Sequence, residues 1–64
     1  MFKENEVVIA KNELPGIPKG SIGAVVFVYD VKKGDYEVEF VDESGNTIGL
    51  LTVNEKDLEK KERE

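Results

Sequence analysis

The sequence predicts an all-β domain: a small SH3-like β-barrel of about five short strands, with a short helical turn near the C-terminus. Three observations carry that expectation. Runs of β-branched and aromatic residues recur between tight glycine turns. One long Pro/Gly loop follows the first run. A domain of only 64 residues protects its sheet edges most simply by curling the sheet on itself.

Glu6-Val7-Val8-Ile9-Ala10 is the first strand. Lys11 to Gly20 then carries Pro15, Gly16, Pro18 and Gly20, which exclude both a regular helix and a central strand. Leu14 and Ile17 lie within this loop and are expected to tuck over one end of the core. Ile22 to Val31 is the longest apolar run, and its Val, Ile, Phe and Tyr content favours a strand over a helix. Lys32-Lys33-Gly34-Asp35 marks a hairpin. Tyr36-Glu37-Val38-Glu39-Phe40 alternates apolar and acidic, the pattern of a half-buried strand. Glu43-Ser44-Gly45-Asn46 forms the next turn and Thr47 to Val53 a fourth strand. Asn54 is placed to cap the short helical turn that follows, with Asp57 in the position of a capping-box partner. The domain is expected over residues 1–58, with 59–64 a charged tail.

Hairpin register decides which side chains face outward. A three-residue loop Lys32-Lys33-Gly34, with Gly34 left-handed, pairs Val31 with Asp35. Val28 then lies opposite Val38 and Val26 opposite Phe40, all inward, while Phe27 and Tyr29 emerge beside Glu39 and Glu37. A two-residue loop reverses this, because a slip of one residue flips every side chain. The first register is preferred because it buries β-branched residues against the inward set Tyr36, Val38 and Phe40. The fourth strand is apolar on both faces, with Ile48 and Leu50 on one and Leu51 and Val53 on the other. One set must face away from the interior. It either lies beneath the long loop or the segment around Leu58, or it joins Phe27, Tyr29 and Val41 in an apolar outer patch rimmed by Glu37 and Glu39. Such a patch marks an interaction surface.

Composition removes most chemistry. The chain has no Cys, His or Trp. Disulfides, thiolate nucleophiles, His-ligated metals and Ser-His-Asp catalysis are therefore absent. Glu37 and Glu39 share a face, but acid/base work needs a cleft that shifts a pKa, and an open strand offers none. Asp42, Glu43 and Asn46 surround a glycine turn without the spacing of a calcium loop. No catalytic residue, metal site or cofactor is expected. Fourteen acidic residues against nine basic give a net charge of −5, which disfavours nucleic acid and favours a basic protein as partner. No apolar run is long enough to cross a bilayer and no leader pattern opens the chain, so a cytoplasmic location is expected. The abundance of Glu and Lys matches heat-adapted proteins, and a designed sequence would share it.

Several segments together resemble a family of short bacterial proteins, the domain of unknown function 4926. They are Glu6-Val7-Val8, Leu14-Pro15, Gly20 to Val26, Tyr36 to Val41 and Gly45 to Val53. The resemblance implies an SH3-like barrel. Its members look like companions of small toxin-like proteins, which implies a non-catalytic, antitoxin- or immunity-type binding role. The family position of Phe27 is often polar, in keeping with an outward side chain. The candidate partner-binding residues are Phe27, Tyr29, Glu37, Glu39 and Val41, for a heterologous protein or a second copy. Two alternatives stand beside this. Lys19 to Val25 resembles the Gly-x-x-Gly-x-Val segment of KOW-type modules, which implies an RNA- or ribosome-associated role through Lys11, Lys19, Lys32 and Lys33. The third reading is a docking subunit of an enzyme complex.

Overall fold

A computed structural model describes residues 1–61. Five strands form one antiparallel sheet of order β4-β3-β2-β1-β5. The strands are β1 (Val7–Ala10), β2 (Ile22–Asp30), β3 (Asp35–Val41), β4 (Thr47–Asn54) and β5 (Leu58–Lys60). A 3-10 turn over Glu55–Asp57 joins the last two. Strand order, the long β1–β2 loop and this turn are those of an SH3-like barrel, as the sequence predicts. Glu59 and Lys60, assigned to the tail from sequence, pair with Ile9 and Val8 in β5. The rest of that tail, residues 62–64, lies outside the described residues.

The core follows from strand alternation. Tyr36, Val38 and Phe40 of β3 point inward and meet Val8, Ala10, Val25, Val53 and Leu58. Ile17, from the long loop, closes one end and is buried, with Leu14 packed beside it. The two residues exchange backbone bonds of 2.9 Å, which folds the loop back on itself. Ile17 lies over Gly49 so closely that a β-carbon there would stand 2.7 Å from its Cδ1. At the other end, the Tyr36 hydroxyl accepts from the Phe2 amide (2.9 Å) and donates to Glu55 (3.1 Å). The Phe2 ring meets Tyr36 edge-on at 5.5 Å. Asn54 caps the 3-10 turn by accepting from Lys56 N–H at 3.1 Å. Asp57 does not complete a capping box: its carboxylate accepts instead from the Asn12 side chain, which ties the long loop to the turn.

The β2–β3 register differs from the expected one. Asp30 pairs with Asp35, so the loop has four residues and Val31 lies exposed within it. The cause is the Asp30 carboxylate, which accepts from the amides of Lys32 (2.9 Å) and Lys33 (3.1 Å), while Gly34 N–H bonds to Asp30 C=O. That local turn ends the strand one residue early. Gly34 is left-handed, as predicted, with φ 73°. Two β-bulges follow, between Val28 and Asp30 and between Val25 and Phe27. Val28 therefore pairs with Tyr36 instead of Val38. Val25 takes the place opposite Val38, Gly23 lies opposite Phe40, and Val26 is exposed rather than inward. The second bulge lies where the N-terminal segment holds both backbone groups of Val25, through Asn5 N–H (2.6 Å) and Glu6 C=O (3.0 Å).

Candidate binding face

The bulges decide what the outer face presents. The longer loop alone would turn Phe27 and Tyr29 inward; the extra residue at Tyr29 restores the alternation. Both aromatic rings thus reach the predicted face. Phe27 stands beside Glu37, however, not Glu39. Three rows run across β2, β3 and β4: Ile22–Val41–Thr47, Ala24–Glu39–Leu50 and Phe27–Glu37–Thr52. Phe27, Tyr29, Glu37, Glu39 and Val41, the five predicted residues, lie together on this face.

Its apolar members are open to solvent. Phe27 is 49% exposed, Tyr29 54% and Leu50 55%. Leu58 is buried in the core and Ile17 packs on the opposite side of β4 at Gly49, so neither of the two expected covers shields Phe27, Tyr29 or Leu50. Phe27 and Tyr29 form an edge-to-face pair with ring centroids 4.9 Å apart. This is a favourable geometry for two aromatics.

The two carboxylates are held in place by hydroxyl groups. Glu37 Oε1 accepts from Tyr29 Oη at 3.1 Å and from Thr52 Oγ1 at 2.8 Å. Glu39 Oε2 accepts from Thr47 Oγ1. Among the described residues the ion pairs are Met1 N-terminus–Glu55 and Lys60–Glu6, and neither lies on this face. The Tyr29 phenol has its pKa raised, chiefly because it donates to the Glu37 carboxylate and then through partial burial. The face thus carries two fixed negative charges, an aromatic pair and no internal counter-ion among those residues.

Ile22 was not among the predicted site residues, and Ile48 and Leu50 were weighed only as one side of β4. Ile22, Val41, Ile48 and Pro18 line a shallow groove of about 490 Å³ between the long loop and the β3–β4 turn, with Lys19 and Glu43 at its rim. Strand alternation counted through the Val26 bulge assigns Ile22 to the same face; unbroken alternation does not. The lysines of the RNA-binding alternative do not form one patch. Lys19 precedes β2 and Lys32 and Lys33 follow it, and nine residues at ~3.3 Å each put about 30 Å of strand between them. In the β3–β4 turn, Asp42 accepts from the amides of Ser44 and Asn46, both at 2.9 Å. Its carboxylate is therefore a turn-forming group.

Residues 4–60 match the family model of the domain of unknown function DUF4926. The chain belongs to this family. No curated protein and no solved structure matches it. The family shown is the one the sequence segments resemble, and its match runs through β5. Both bulges, and the face they create, lie within the matched residues.

Proposed function

We propose that this member of the family is a non-catalytic protein-interaction module whose β2–β3–β4 outer face binds a basic partner. The observation that supports this reading is the pairing of two hydroxyl-fixed carboxylates, Glu37 and Glu39, with the exposed Phe27–Tyr29 aromatic pair. An Arg or Lys side chain satisfies both halves of that surface. Its charge meets the carboxylates, while its stem or guanidinium plane packs on the rings. The overall charge of −5 steers a cationic partner toward the chain. A basic toxin-like protein is a partner of this chemistry, which gives the module an antitoxin- or immunity-type role.

The test is a titration of isotope-labelled protein with an extended peptide alternating Arg and Val, against a control with Glu replacing Arg. Resonance shifts at Phe27, Tyr29, Glu37 and Glu39, confined to the basic peptide and weakened by salt, are expected. Binding left unchanged by Phe27→Ser with Tyr29→Ser would exclude this face. The same double variant, used in a pull-down with the product of the adjacent gene, tests the toxin-like partner directly.

A further inference from the structure

The outer strand of the sheet carries an observation of its own. β4 has eight residues, Thr47 to Asn54, and lies at the edge of the sheet order. It contains no Asp, Glu, Lys, Arg or Pro. Edge strands usually carry such residues because a long neutral edge invites pairing with another chain. The opposite edge, β5, is three residues long and bears Glu59 and Lys60. β4 is the unprotected edge.

The backbone shows which groups are available. Glu55 N–H bonds to Gly34 C=O at 2.7 Å, and antiparallel ladders alternate from such a pair. Val53, Leu51 and Gly49 therefore turn their backbone groups toward β3. Leu50 and Thr52 turn theirs outward, away from the sheet. These two residues bracket Leu51, which is half-buried at the rim of the core.

We infer that β4 pairs antiparallel with β4 of a second copy, about a two-fold axis at Leu51. Leu50 faces the partner's Thr52 and Thr52 the partner's Leu50, giving about four backbone hydrogen bonds, two in each pair. Leu51 meets the partner's Leu51 on the inner side. Charge favours this occupant. A basic strand finds no carboxylate on β4 itself, whereas a neutral apolar strand fits it, and β4 is such a strand. On the outer face, Glu37 and the partner's Glu39 are separated by three strand spacings. That is about 14 Å, well beyond the ~8 Å screening length at physiological salt. The pairing joins two outer faces into one sheet surface, with Phe27 and Glu37 of each copy continuing through Thr52 to the partner's Leu50.

Sedimentation equilibrium of the full chain at tens to hundreds of micromolar tests the inference. A dimer of twice the 7.2 kDa chain mass is expected. Thr52→Pro removes an amide that β3 does not use, and Leu50→Lys places a charge on the pairing edge; each is expected to raise the dissociation constant by about tenfold or more. Leu50 is exposed, so its variant folds, and an unchanged thermal melt at dilute concentration confirms that. A monomeric wild type, species larger than a dimer, or a dimer insensitive to Leu50→Lys overturns the inference.

Discussion

Gly23→Ala tests the bulged register by the sign of its effect. Replacing glycine by alanine in an extended segment ordinarily stabilises a protein by about 0.4–1 kcal/mol, because the unfolded chain loses freedom. At Gly23 a β-carbon would stand 2.8 Å from Phe40 Cδ1, 2.8 Å from Val38 Cγ1 and 2.9 Å from Glu39 O. Phe40 and Val38 are buried, so neither ring nor methyl has room to retreat, and the carbonyl belongs to the β3 backbone. Overpacking of this kind costs about 1–3 kcal/mol. Set against the gain from the unfolded state, the expected net loss is about 1–2 kcal/mol. A domain of this size has about 3–10 kcal/mol in total and shifts its melting temperature by about 4–8 °C per kcal/mol. The variant should therefore melt about 5–15 °C lower in a reversible circular-dichroism scan. In the three-residue-loop register expected from the sequence, residue 23 points outward and its methyl meets solvent. A Gly23→Ala protein as stable as the parent, or more so, would refute the bulged register and with it the place of Ile22 on the outer face.

Tyr36→Phe keeps the ring in the core and removes only the hydroxyl that joins Phe2 to Glu55; urea unfolding should show a loss of about 1–2 kcal/mol. Both tyrosines should ionise above pH 10.0 by tyrosinate absorbance, Tyr36 mainly through burial and Tyr29 mainly through its bond to Glu37. Glu37→Gln should lower the Tyr29 value alone. Because the folded state raises these pKa values, the stability they contribute is complete below the ordinary tyrosine pKa and is lost as pH rises through the folded values. Asp42 has the opposite sign: its pKa is lowered, first by the Asn46 amide. Its contribution is present above the ordinary aspartate range and is lost as pH falls through the folded value, so Asp42→Asn should flatten the acid limb of a stability–pH curve.

The fold class, the long loop and all four main strands were legible in the sequence because each rests on local chemistry. Tyr36 to Phe40 alternate strictly, Pro15 and Pro18 interrupt any ladder, and Ile17 is the large apolar residue of a loop that must cover a barrel end. The register was not legible, for an equally physical reason. Asp30 closes its own turn, and a bulge places one more residue in β2 than the partner strand can pair. Nothing in Ala24-Val25-Val26-Phe27 distinguishes the bulged residue from its neighbours by type. It is fixed from a distance, by Asn5 and Glu6 reaching Val25. Phe27 and Tyr29 were placed outward correctly because the shift in the loop and the bulge at Tyr29 cancel. Val26 was misplaced because the next bulge has no such compensation.

That pattern bears on why the face exists. A chain with so small a core has an evident use for Phe27, Tyr29, Ile22 and Leu50 inside, yet the β2 bulges direct the first three outward and Leu50 pairs with Glu39 on the same face, while glycine and valine line the interior opposite Phe40 and Val38. Steric reasons explain Gly23, which leaves room for Phe40. They do not explain an aromatic at position 27, where a polar residue would serve the barrel equally well. Glu37 and Glu39 are likewise unnecessary to the core, and hydroxyls from Tyr29, Thr47 and Thr52 hold them without neutralising them. Fixing a carboxylate with neutral donors keeps its charge available at the surface, whereas a lysine on the same strand would have quenched it. Solvent exposure of both features lowers the stability of the isolated domain relative to a polar, charge-balanced face. On the proposed reading, that deficit is recovered when a cation and an apolar stem cover the face together.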